Sequence, residues 1–108
     1  MTPEVMTSDP LVERVARKIV EYIHPLKIFL FGSRVRGEAT EDSDIDLVVI
    51  YNGPKSKREL EVEIHRLFMP RDFSMDVFVM TPQHFKRFKG IANTLAREID
   101  ENGLIIYG

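Results

Sequence analysis

Two short apolar runs joined by a polar connection constrain this chain more than any other feature. The first, Ile28 to Phe31, breaks at Gly32-Ser33; the second, Leu47 to Ile50, is entered through Asp44 and Asp46. Both are too short for buried helices and rich in β-branched and aromatic residues, so they read as strands over Lys27–Phe31 and Ile45–Tyr51. The second is apolar almost throughout, the pattern of a strand covered on both faces. Gly32 lets the backbone bend and a ligand approach the main chain, Ser33 adds a hydroxyl, and the exposed N–H groups of the following turn favour an anion. A turn that can hold phosphate thus adjoins a pair of carboxylates, and what they do together depends on whether they meet in space.

The other segments supply the partners such strands need. Asp9-Pro10 is a helix start, with a carboxylate to cap free N–H groups and a proline where its missing donor costs nothing. Leu11, Val12, Val15, Ala16, Ile19, Val20 and Ile23 then recur at helical spacing, and Pro25 stops the helix. Ser56 to Phe68 places Leu60, Ile64, Leu67 and Phe68 on one helical face before Pro70. Met75 to Met80 is a third strand, and Thr81-Pro82 repeats the cap-plus-proline signal for a helix to about Lys89. A last helix carries Leu95 and Ile99 inward and ends at Asn102-Gly103, and Leu104 to Tyr107 can add an edge strand. The fold class is α/β or α+β, a sheet with helices packed on it. At 108 residues the expectation is a single domain over residues 1–108.

Composition narrows the chemistry. A net charge of −2 gives no general attraction to nucleic acid or anionic membrane, although residues 54–90 are mildly basic. With no cysteine, disulfides and thiolate metal sites are excluded. No run approaches the roughly 18 apolar residues of a membrane span, so the default expectation is cytoplasmic.

In an extended strand Asp44 and Asp46 point to the same side, roughly 7 Å apart. Like charges so placed raise each other's pKa unless a cation lies between them. One or two carboxylates, completed by water and substrate phosphate, are what magnesium prefers. Asp76, between Met75 and Val77, is a third acid in a strand, and it needs a partner there: metal, or one of the arginines. Asp42 and Ser43 read as turn formers. Asp42, Asp44 and Asp46 imitate an EF-hand opening, but Leu47 stands where its glycine belongs and Gly53 where its last glutamate belongs. Gly32 and Gly37 have P-loop spacing, but Glu38 replaces the required lysine.

The ordered set of strand, Gly-Ser turn, Asp-x-Asp strand and single-acid strand resembles the nucleotidyltransferase superfamily with the DNA polymerase β-like catalytic fold, and within it the minimal nucleotidyltransferases. Phe31-Gly32-Ser33-Arg34-Val35-Arg36-Gly37-Glu38 matches the phosphate turn, with Val35 where alanine is commoner. Ser43-Asp44-Ile45-Asp46-Leu47 matches the metal-binding strand and Met75-Asp76-Val77 the third acid. The resemblance implies a mixed sheet of three to four strands packed by helices, and ATP as substrate with two magnesium ions at Asp44, Asp46 and Asp76. Gly32 and Ser33 would hold β- and γ-phosphates, with Arg34 and Arg36 assisting, and Asp76 would also help deprotonate the acceptor hydroxyl. It further implies an antitoxin that adenylylates a tyrosine of a HEPN-domain ribonuclease toxin in a hetero-oligomer.

Arg34 and Arg36 suit phosphate by their chemistry, the bland alternative being solvated loop charges. Lys86, Arg87 and Lys89 read as a solvated helix face. His24, His65 and His84 show no ligand spacing, and Tyr22, Tyr51 and Tyr107 are expected to pack with hydroxyls at the surface. The chain is too short to enclose both base and acceptor, so a partner should complete the site. The alternatives are transfer to a small molecule such as an aminoglycoside, and a non-catalytic antitoxin that only masks the toxin.

Overall fold

The computed structural model describes residues 4–36 and 43–108. Helix α1 (Pro10–Ile23) starts where expected: Asp9 Oδ1 accepts from Leu11 N at 3.0 Å and Val12 N at 3.3 Å. Its end is a left-handed His24 ahead of Pro25. Strand β1 (Lys27–Phe31) leads into a one-turn helix α2 (Ser33–Arg36), and β2 (Ile45–Ile50) follows. Helix α3 (Lys57–Leu67), capped by Ser56, precedes β3 (Met75–Met80). Helices α4 (Pro82–Phe88) and α5 (Leu95–Asn102) are capped by Thr81 and Thr94, and β4 (Leu104–Tyr107) closes the chain. The edge strand left open by the sequence is thus formed.

The four strands make a mixed sheet in the order β3-β2-β1-β4. β1 runs antiparallel to β2 and β4, while β2 and β3 are parallel. Side chains alternate across the sheet, and each face buries its own cluster. On one, Val12, Val15, Ala16 and Ile19 of α1 and Leu60 and Ile64 of α3 cover Ile28, Leu30, Ile45, Leu47, Val49 and Val77. On the other, Ala96 and Ile99 of α5 join Phe29, Val48, Ile50 and Met80, with Phe85 and Phe88 of α4 packed at the margin. This second layer is short. It covers the end of the sheet holding Phe29, Ile50 and Met80, and the same face continues past it to Phe31, Asp46, Asp76 and Phe78. β2 is accordingly buried at every position but Asp46, and β3 is exposed at Asp76 and Phe78.

Candidate active site

Register sets the geometry. Asp46 pairs with Phe31 across the antiparallel β1–β2 ladder and with Asp76 across the parallel β2–β3 ladder. Residues in register on neighbouring strands share a face about 4.8 Å apart. Phe31, Asp46 and Asp76 therefore form one row on the open part of the sheet. Asp44 stands two residues before Asp46, exposed at the entrance to β2.

The turn and the acids do meet. Gly32 has φ of +81°, and a Cβ there would collide with the Asp46 carboxylate, whose Cγ would lie 3.4 Å from it. Glycine is required twice at this position, once for the left-handed backbone and once for the carboxylate lying against its Cα. Ser33 follows as the first residue of α2, and Val35 N closes the turn on Gly32 O at 3.2 Å. The first N–H groups of such a turn have no helical carbonyl upstream. Phe31 and Phe78 meet across β2 with ring centroids 6.2 Å apart, an apolar wall beside the acid row.

Arg34, expected beside phosphate or as a solvated loop charge, is largely buried. Its side chain is only 8% exposed, and Nη1 donates to Asp9 Oδ2 at 2.5 Å. Nε and Nη2 both donate to the Ser43 carbonyl, at 3.2 and 2.9 Å. Three of its five N–H donors are thus committed, so the guanidinium is not a solvated loop charge. It ties the phosphate turn to the N-cap of α1 and to the residue that precedes Asp44. Arg36 closes α2; its side chain, like Gly37, Glu38 and Asp42, lies outside the described residues.

Among the described residues, no three or more His, Asp or Glu side chains gather closely enough to enclose a metal ion. The row does fit magnesium bound in the half-open manner, in which a few carboxylates are completed by phosphate oxygens and water. Hard oxygen donors are in place, and the glycine turn lies directly against one of them. Of the histidines, His65 shares a groove with Asp76, His84 stacks on Phe88 at 4.6 Å, and His24 caps α1. Lys86, Arg87 and Lys89 are exposed on α4, as expected for a solvated face.

Tyr22 donates to Glu63 Oε1 at 2.8 Å, and Lys55 Nζ reaches the same oxygen at 2.7 Å. The hydrogen bond to Glu63 raises the Tyr22 and Lys55 pKa values, and the bonds from Lys55 and Tyr22 lower that of Glu63. This cluster joins α1, α3 and the β2–α3 loop away from the acid row. Sequence reasoning missed it, together with the Arg34–Asp9 pair and the Phe31–Phe78 wall, because each joins residues distant along the chain.

Among curated proteins no sequence matches this chain. Solved structures share its fold, and two of them serve as examples. One is a putative nucleotidyltransferase from Sulfolobus solfataricus, 18% identical with a TM-score of 0.57, covering 88% of this chain and 75% of its own. The other is a toxin-antitoxin with AMP-PNP, 20% identical with a TM-score of 0.58, covering 89% of this chain and 73% of its own. The family model of the nucleotidyltransferase domain matches residues 12–106, a span that takes in the glycine turn and all three acids. On that match the chain belongs to the nucleotidyltransferase domain family.

Proposed function

We propose that this protein is a magnesium-dependent adenylyltransferase that moves AMP from ATP to a hydroxyl, a tyrosine of a HEPN-type toxin, and so acts as its cytoplasmic antitoxin. The observation that carries the reading is the Asp46 carboxylate lying against Gly32 and in register with Asp76. Support for the toxin comes from the resemblance in sequence and from the fold shared with a toxin-antitoxin structure bearing AMP-PNP.

Asp44, Asp46 and Asp76 would hold two magnesium ions, which supply charge neutralisation and Lewis acidity at the triphosphate. The chain's own part is positioning. The turn that Gly32 opens presents its first main-chain N–H groups to the phosphates, Ser33 donates its hydroxyl, and Arg36 follows as a further cation for the β- and γ-phosphates. Asp76, at the outer end of the row, accepts a hydrogen bond from the acceptor hydroxyl and takes its proton for delivery to water. The acceptor oxygen bonds to the α-phosphorus as the bond to the β-phosphate oxygen breaks, and pyrophosphate leaves.

The test is incubation with α-labelled ATP, magnesium and a HEPN-domain partner. Label on the partner is expected, lost on changing its tyrosine to phenylalanine. Tight association of the two chains without label would establish masking instead. Asp76→Asn should reduce transfer by at least about a hundredfold, the scale of general-base contributions, while nucleotide binding persists. An active Asn variant would remove Asp76 from this role.

A further inference from the structure

Among the described residues β3 is an outer strand, and its outward edge borders a groove of about 620 Å³ whose other wall is α3. Val62 of α3 is 43% exposed there, Met69 is 64% and Phe78 is 38%, so the groove presents apolar side chains to solvent. His65, Arg66 and Arg71 line the same groove. The acids in it are otherwise accounted for: Glu61 accepts from Val79 N at 2.9 Å, and Asp76 belongs to the acid row.

The hydrogen-bond pattern of β3 shows which edge groups remain. Ser74 O accepts from Ile45 N and Met80 O from Tyr51 N, so the even-numbered residues face β2. The odd-numbered ones face outward. Val79 N–H is taken by Glu61, so among the described residues Val77 N–H and C=O are the groups left directed at the groove. An unpaired strand edge beside an apolar groove receives an extended peptide by strand addition, with main-chain bonds giving affinity and alternate side chains giving specificity.

We infer that the groove between α3 and the β3 edge docks an extended, hydroxyl-bearing segment of the acceptor protein, flanked by acidic and apolar residues, as a fifth strand beside Val77. The inference rests on the transferase reading above. A strand added here extends the row Phe31–Asp46–Asp76 by one residue on the same face, about 4.8 Å from Asp76. A hydroxyl at that position stands beside the carboxylate that takes its proton, on the side of the row opposite Gly32 and Ser33. Acceptor and leaving pyrophosphate thus approach from opposite edges, as displacement in line requires. The apolar residues of the segment cover Val62, Met69 and Phe78, and its acids meet Arg66, Arg71 and His65.

The test uses the full chain labelled for NMR and short synthetic peptides with a central serine, threonine or tyrosine, valines at alternate positions and terminal glutamates. The same peptides with lysines for glutamates serve as controls. Glutamate peptides should shift the Val77 and Phe78 amides most and slow exchange of the Val77 N–H. The double variant V62E/M69E, at two exposed positions, should weaken peptide binding about tenfold or more and leave magnesium-ATP binding unchanged. Arg66→Glu should reverse the preference towards lysine peptides. The inference falls if no peptide perturbs Val77, if the shifts gather on β4, or if V62E/M69E binds peptide normally. It also falls if the chain is a dimer that V62E/M69E dissociates, since the groove then belongs to a second copy. Magnesium-ATP binding and pyrophosphate release in the same samples report on the transferase reading separately: loss of both with peptide shifts intact defeats that reading alone.

Discussion

At Gly32 the backbone angle of +81° and the Asp46 carboxylate on its Cα act on the same atom. Gly32→Ala must adopt a strained conformation at a cost of about 1–3 kcal/mol, and must also push the carboxylate away. The expected outcome is a lower urea midpoint together with loss of magnesium-nucleotide binding; a variant that is stable and binds normally would show that the acid does not work from this position. Arg34 was legible as a cation beside a phosphate turn, and the sequence offered nothing to show that it pairs with Asp9 and the Ser43 carbonyl. Asp9 lies 25 residues upstream and Ser43 nine downstream, so the pairing exists only once α1, α2 and β2 are packed. Losing hydrogen bonds to a charged group costs about 1.5–3 kcal/mol each in favourable settings, and Arg34→Ala should destabilise by about 2 kcal/mol or more. In a double-mutant cycle with Asp9→Ala, a coupling of about 1 kcal/mol or more is expected for groups in contact. Arg34→Lys should not restore it, because a single ammonium cannot replace the guanidinium fork. Additive effects in chemical denaturation would exclude the clamp.

Element boundaries were legible wherever a capping residue and a proline stand together. Asp9-Pro10 and Thr81-Pro82 open α1 and α4 as their chemistry predicts. The last strand was legible only as an option, since four residues after a glycine need the β1 edge beside them to become a strand. Ala96 of α5 is buried though the apolar spacing pointed to Leu95 and Ile99, because a small residue fits where the helix approaches the sheet closely. The link between α1 and α3 through Tyr22, Glu63 and Lys55 could not be read at all, and it has a pH signature. Glu63 has its folded pKa lowered from 4.5, so its contribution is present above that value and is lost as the pH falls through the lower folded one. Lys55 and Tyr22 have theirs raised, so their contributions are present below their ordinary values, 10.5 and 10.0, and are lost as the pH rises beyond them. Compared by thermal melting, the wild type should exceed Glu63→Gln by a small margin at neutral pH, and the margin should shrink as the pH falls below 4.5 and again as it rises beyond the ordinary values of Lys55 and Tyr22. The groups are exposed, so solvent screens the effect; a margin that grows in acid would contradict the assignment.

Across the whole molecule, the sheet has one face fully covered by α1 and α3 and one covered only at the end where α4 and α5 pack. The acids were legible as residues and their meeting only through the family resemblance, because Asp76 lies 30 positions beyond Asp46 and the parallel placement of β3 beside β2 is what brings the two into register. That placement sets carboxylate oxygens in a row beside an aromatic wall, hard donors of the kind that magnesium and phosphate together complete. Magnesium and nucleotide should therefore stabilise the fold jointly, each being a poor ligand without the other. A ligand at roughly 100 times its Kd adds about 2.7 kcal/mol, and each kcal/mol moves the Tm of a domain of this size by about 4–8 °C. A rise of about 10 °C or more is expected with ATP and magnesium together, and little with ATP and a chelator. Asp46→Asn should abolish the rise, since Asp46 touches both the glycine turn and the acid row, while Asp76→Asn, at the outer end, should keep most of it. Equal shifts with and without magnesium would mean that nucleotide binds without the acids, and an unaltered shift in Asp46→Asn would place the nucleotide on another part of the molecule.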